Sequence, residues 1–214
     1  MAIPPSVMTA DGISTVIVPS LAQFSDATVA TYRSAGVSAF DDAVSATSCG
    51  WIVDLRQNGG GNTWPMLSTI APLLPAGPVA GFRDRHGDEQ WIVSSGTGYI
   101  DVMGEPRVAR PVSDVPVAVL ISPQTASAAE LVALSLRSNP HVRFFGQQTA
   151  GLTTSNQTFI LSDESMLIVS IAHYVDAEGT IIDGPIRPDV VVNTVDAVGA
   201  EAEAESWLRT ACAS

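Results

Sequence analysis

The chain has 214 residues, 46% of them hydrophobic, and a formal net charge of −12, with mean hydropathy +0.25. That is length enough for one substantial domain with a proper core, and a surface so acidic repels nucleic-acid phosphates and anionic lipid, so neither is an expected partner. No apolar run approaches bilayer length, and MAIPPSVMTADG has neither a basic nor an apolar signal-peptide region, so the sequence as given reads as cytoplasmic, or as extracytoplasmic if an N-terminal segment has been removed.

Ile13 to Val18 reads as a strand ended by Pro19-Ser20. Asp26 opens a helical pattern through Ala30, Val37, Phe40 and Val44, with a break expected near Gly36. Gly50 precedes a buried strand, Trp51 to Leu55, and three glycines follow it, Gly59, Gly60 and Gly61. A helix through Met66, Leu67, Ile70, Leu73 and Leu74 comes next. Consecutive glycines at a strand's carboxyl end let the backbone approach a ligand and present its N–H groups. The spacing is not that of a phosphate loop, since neither GxxxxGK[ST] nor GxGxxG is present; a plain glycine turn is the alternative.

From Pro78 to Arg110 short strands and turns are expected, with Val79–Arg83 and Gln90–Ser94 pairing across the polar DRHGDE turn. Val117 to Ile121 is a central strand, and Leu131 to Leu136 an amphipathic helix. Val142 to Gly146 is a further strand, QQTAGLTTSNQT a polar loop, and Met166 to Tyr174 a long strand. A hairpin turn at Asp176–Gly179, a terminal strand at Val190–Val192 and a surface helix from Asp196 complete the order. Alternating strands and helices predict an α/β fold with a largely parallel sheet flanked by helices. No repeat or linker marks a boundary, so residues 1–214 read as a single domain.

Cys49 and Cys212 could form at most one bridge; without His or Cys at ligand spacing no metal or cofactor is expected, and both are expected to be reduced thiols.

The stretch Thr125-Ala126-Ser127-Ala128-Ala129-Glu130 sits where the strand at 117–121 turns into the following helix. There the Ser127 hydroxyl can point into a cleft, and the Ala128 N–H is a helix donor without an intrahelical partner. A nucleophile beside an unpaired N–H is half of an acyl-transfer site. Ser-x-x-Glu is equally a capping box, with Ser127 as N-cap and Glu130 at N3.

Four segments in order are more specific: DLRQNGGGN (54–62), TASAAE (125–130), GQQTAGLTT (146–154) and the stretch ending in GPIRPD (184–189). Together they resemble the catalytic core of the C-terminal processing peptidases, or tail-specific proteases, in the branch of the nisin resistance and tricorn core proteases, over roughly residues 12 to 192. The resemblance implies a crotonase/ClpP-like α/β core without the PDZ domain of many members. It implies a serine peptidase acting on extended peptides, with Ser127 as nucleophile and the N–H of Ala128 as one oxyanion donor. Gly60 or Gly61 supplies the other. Asn62, Thr63, Met66 and Gln157 match positions expected to line the peptide groove.

One departure concerns the base. The chain contains no lysine, and Leu152 stands after Gly151 where tail-specific proteases carry theirs. The other branch uses a histidine before the first core strand, and none precedes His86 here, so the segment carrying it reads as absent. Of the three histidines, His86 is expected in an exposed turn and His141 at a helix end; His173 is the candidate substitute base. Asp183 could orient a base, while Asp54 and Arg56 read as fixing the glycine loop. Two alternatives need less: a catalytically inactive peptide-binding protein on the same fold, with Ser127 only a cap, and an ester or thioester acyl hydrolase.

Overall fold

Asp11-Gly12, with φ of 50° and 78°, folds Ser6–Ala10 (β1) back onto Ile13–Ile17 (β2), as a two-residue hairpin requires. This hairpin opens the computed structural model, which describes residues 2–22, 25–96, 112, 114–192 and 197–212. Helix α1 (Asp26–Val44) is capped by Ser25 and runs unbroken through Gly36. The expected break is absent because Gly36 serves packing: a Cβ there would lie 2.2 Å from Thr69 Oγ1 on the neighbouring helix.

Strand β3 (Gly50–Asp54) follows, then α2 (Thr63–Ile70) with a 3-10 turn at Ala71–Leu73. Strands β4 (Ala76–Asp84) and β5 (Glu89–Ser95) pair across the predicted turn; the stretch expected from there to Arg110 lies, from residue 97, outside the described residues. Strand β6 (Val117–Ile121) leads to α3 (Ala128–Arg137), then to β7 (Val142–Gly146), β8 (Thr154–Ile160) and β9 (Met166–Asp176). Two short strands, β10 (Ile181–Ile182) and β11 (Val190–Val191), precede α4 (Ala197–Cys212).

The first sheet has the order β1-β2-β3-β6-β7-β11. Its pairings are parallel from β2 to β11, and only β1 is antiparallel. Strand β6 is buried along its whole length because both faces are covered, which is why VAVLI reads as a continuous apolar run. Val117, Val119 and Ile121 join the core under α1, α2 and α3. Ala118 and Leu120 face Ala200, Ala204 and Leu208 of α4.

The second sheet corrects the expectation of a largely parallel architecture. It runs β10-β9-β4-β5, with β8 beside β9, and each of these pairings is antiparallel. Short turns join β4 to β5, β8 to β9 and β9 to β10, and a short turn can join only antiparallel neighbours. Strand β8 begins inside what was expected to be a polar loop and takes up its last five residues, 154–158: the strand's residues are exposed or half-exposed and pair with β9.

The thiols are also corrected. Cys49 and Cys212 form a disulfide across 163 residues of sequence. The segment entering β3 and the last turn of α4 meet at one end of the first sheet, a proximity that spacing cannot reveal.

Candidate active site

Strands β3 and β6 are neighbours in parallel, so the segments leaving their carboxyl ends emerge side by side. Ordered crevices in α/β sheets form at that edge. From β3 comes the glycine loop, and from β6 the turn carrying Ser127.

Asn58, fully buried, organises the glycine loop. Its Nδ2 donates to Val18 O at 2.9 Å and its Oδ1 accepts from Gly60 N at 2.9 Å. Gly59 N donates to Ser20 Oγ at 2.7 Å. Asp54 accepts from the Arg56 guanidinium at 2.9 and 2.6 Å, and Arg56 reaches Glu201 of α4 at 3.1 Å. The hydrogen bond to Asp54 is the main influence holding Arg56 above its ordinary pKa. These two residues brace the start of the loop.

The two turns are joined directly. Ala126 N donates to Asn58 O at 3.0 Å, Thr125 Oγ1 to Leu55 O at 2.8 Å and Ser122 Oγ to Arg56 O at 2.5 Å. Gly60 sits against the nucleophile candidate. A Cβ on it would lie 3.0 Å from Ser127 Cβ and 3.1 Å from Ala128 N, with its φ at +99°. Only glycine fits there.

Ser127 has φ 53° and ψ −118°, a conformation costly for any residue with a Cβ and concentrated at functional sites. Ser127 and Glu130 form a capping box, in which Glu130 Oε2 accepts from Ser127 N at 2.8 Å; the Glu130 N–H also donates to the Ser127 carbonyl at 2.8 Å.

Glu130 does more than cap. It is fully buried and also accepts from Thr149 Oγ1 at 2.5 Å, Gly151 N at 2.8 Å and Leu152 N at 2.8 Å. One carboxylate thus pins the serine turn to the 147–153 loop. Tyr174, on β9, was missed as a site residue. It is 3% exposed and packs edge-on against Phe82 at 5.7 Å. Burial pushes its phenol up to about 12; the influence of the Ser127 side chain opposes that rise and the Glu130 charge adds to it.

Among the three glycine amides, those of Gly59 and Gly60 are occupied as described. The N–H groups of Gly61 and Ala128 have no acceptor among the described residues. Asn62 caps α2 by accepting from Trp64 N at 3.3 Å, and Thr63 is the first residue of that helix; both are half-exposed. Met66 is corrected: it is fully buried, with its sulfur 3.4 Å from Asn58 Nδ2, so it supports the loop from the core and lines no groove. Gln157 is exposed on the ribbon opposite Val169. A cleft of about 660 Å³, lined by Ile17, Val18, Ser20, Asp54, Arg56 and Gln57 among others, borders the glycine loop.

None of the histidines is brought to Ser127. His86 lies exposed in the β4–β5 turn. The carbonyl of His141 accepts from Val117 N, at the opposite end of β6 from the serine turn. His173 is exposed and adjacent to buried Tyr174, so strand alternation sends its side chain to the other face. This corrects its selection as substitute base. Asp183 is exposed.

A serine on a strained strand-to-helix turn, set against a glycine loop, is the framework of acyl-transferring hydrolases. The chain belongs to peptidase family S41, whose model matches residues 20–192. It is 33% identical over 168 residues to the nisin-resistance protein of Lactococcus lactis subsp. lactis, covering 75% of this chain and 50% of that protein. It is 28% identical over 125 residues to a carboxyl-terminal-processing protease of Synechocystis sp., covering 58% of this chain and 26% of that one. The chain therefore spans half or less of these relatives. A lipoprotein from Streptococcus agalactiae superposes with a TM-score of 0.80 at 27% identity, covering 98% of this chain and 70% of the other. The photosystem II D1 C-terminal processing protease superposes at 0.64 and 24% identity, covering 88% and 45%.

Proposed function

We propose that this chain is the core of a serine peptidase of the C-terminal processing class, with Ser127 as nucleophile and the N–H groups of Ala128 and Gly61 as the oxyanion pair. One observation carries the reading: Gly60 packs against both Ser127 and Ala128 N, while the Ala128 and Gly61 N–H groups keep no acceptor among the described residues. Gly60 then acts by permitting close approach, since its own N–H is bonded to Asn58. The fold is read as a crotonase/ClpP-like core, supported by the parallel strands β3 and β6 that carry the two turns side by side.

In this reading Ser127 Oγ gives its proton to a base and attacks the peptide carbonyl carbon. The tetrahedral oxyanion is held by the two N–H groups, and the amine leaves with a proton returned by the base. Loss of one such donor costs about 2.7–4 kcal/mol of barrier. Asn62 and Thr63, half-exposed beside Gly61, and Gln157 on the ribbon are the proposed peptide contacts.

The placement of the three histidines favours a second reading, peptide binding without turnover. Incubation with unstructured peptides bearing free or amidated C-termini, followed by mass spectrometry, separates the two. The first reading expects cleavage that Ser127→Ala abolishes; retention of peptide without cleavage by either form supports the second and overturns the first.

A further inference from the structure

Strands β8 and β9 form a ribbon that is apolar where water meets it. Phe159 stands opposite Leu167, Ile160 opposite Met166 and Thr158 opposite Ile168. Cross-strand partners share a face, and successive residues alternate between faces. Ile160, Met166 and Ile168 therefore lie on one face, and Phe159, Leu167 and Ile171 on the other. All six are between 44% and 77% exposed. An antiparallel sheet ordinarily presents polar residues on its solvated face; here both faces are apolar and both are wet. Side chains so exposed leave several hundred Å² of apolar surface, more than a monomer ordinarily keeps in water. That approaches the scale of about 800 Å² per partner in a stable interface. The edge is open as well. Among the described residues β8 pairs with β9 alone, so the outward N–H and C=O groups of Thr154–Ile160 are a template for another strand.

We propose that this edge is a self-association site, at which β8 of one copy pairs antiparallel with β8 of a second copy about a two-fold axis. Charge selects both the partner surface and the direction. A chain of net charge −12 repels its own copies over most of its surface. No charged side chain occurs from Phe144 to Ser162 or from Ser165 to Ala172, and Asp163 and Glu164 occupy the turn between the two strands. Parallel pairing would set the acidic turns of both copies side by side. Antiparallel pairing puts them at opposite ends of a seven-residue strand, about 20 Å apart and well beyond a Debye length of about 8 Å. The interface is isologous, because each copy offers and receives the same strand. It gives the open backbone groups partners and covers the apolar side chains, and it is independent of the role of Ser127.

Light scattering on the full chain, from micromolar to near-millimolar concentration, reads the mass directly. The expected result is a species of twice 22.3 kDa that dissociates on dilution. The double variant Ile160→Glu, Ile168→Glu changes side chains already in water and should raise the dissociation constant by about a hundredfold or more. Met8→Glu, 62% exposed on β1, should leave it unchanged. A chain that is monomeric throughout overturns the proposal, and so does a dimer that the double variant leaves intact. Amide hydrogen exchange is a second measurement that needs no substitution. Protection within Thr154–Ile160 should rise with concentration, and equal exchange at both extremes overturns the strand pairing. A monomer that cosediments with phosphatidylcholine vesicles assigns the ribbon to lipid and overturns the proposal equally.

Discussion

Gly60 and Glu130 are the residues on which the local geometry turns, and they act by opposite means. Gly60 contributes by having no side chain. Gly60→Ala puts a Cβ 3.0 Å from Ser127 Cβ at a positive φ, and displacing a nucleophile by about 1 Å can cost on the order of 10²-fold. The expected outcome is that loss in kcat/KM with a cooperative unfolding transition retained. Glu130 contributes four accepted hydrogen bonds, two on each oxygen. Glu130→Gln turns one oxygen into a donor and leaves buried N–H groups facing it, so denaturant unfolding should show a loss of about 3 kcal/mol. Both residues were visible in the sequence, Gly60 in the triple glycine and Glu130 in TASAAE. The sequence offered His173 and Tyr174 as neighbours on one strand without saying which is buried. Histidine chemistry drew attention to the exposed member of that pair, because the direction of alternation depends on which sheet face is covered.

At the scale of elements, Gly36 illustrates how local propensity misleads. Glycine costs about 1 kcal/mol in a helix interior, so a break was the natural expectation, yet α1 continues because α2 packs closely there. Gly36→Ala would gain propensity but place a Cβ 2.2 Å from Thr69 Oγ1 and 3.0 Å from Pro5 Cγ. The Thr69 hydroxyl is also committed to Pro65 O at 3.2 Å and cannot simply swing away. The net expectation is a destabilisation of about 1–3 kcal/mol by overpacking, read as a lower Tm; an unchanged or raised Tm would contradict the close-packing account. Strand β1 was legible through Asp11-Gly12 and was overlooked. Strand β8 was not legible, since TSNQTFI alternates weakly and exposes most of its length.

Across the whole molecule, the strand–helix alternation foretold the parallel sheet, but not the antiparallel one beside it or the disulfide. The bond between Cys49 and Cys212 ties α4 to the sheet it covers. Restricting so long a loop stabilises by about 2–5 kcal/mol, so the double Cys49→Ala, Cys212→Ala variant should lose that amount in denaturant unfolding. Alkaline behaviour follows from two buried phenols. Tyr174 is raised from 10.0 to about 12, and Tyr32, whose hydroxyl donates to Pro19 O at 2.6 Å, is raised by burial as well. A raised folded pKa gives stability that is complete below the unfolded value near 10 and is lost as pH climbs toward about 12. Thermal scans should show Tm falling above pH 10, less steeply in Tyr174→Phe. The convergence of the glycine loop and the serine turn lies at this scale too. Adjacency of β3 and β6 is a property of the sheet order, and the two segments stand more than sixty residues apart in sequence.

The most direct test of that convergence is intact-mass and peptide mapping after exposure to a fluorophosphonate. The account predicts a single adduct on Ser127, absent from Ser127→Ala and strongly reduced in Gly60→Ala. An adduct confined to another residue, or none under any condition in which the chain remains folded, would contradict it.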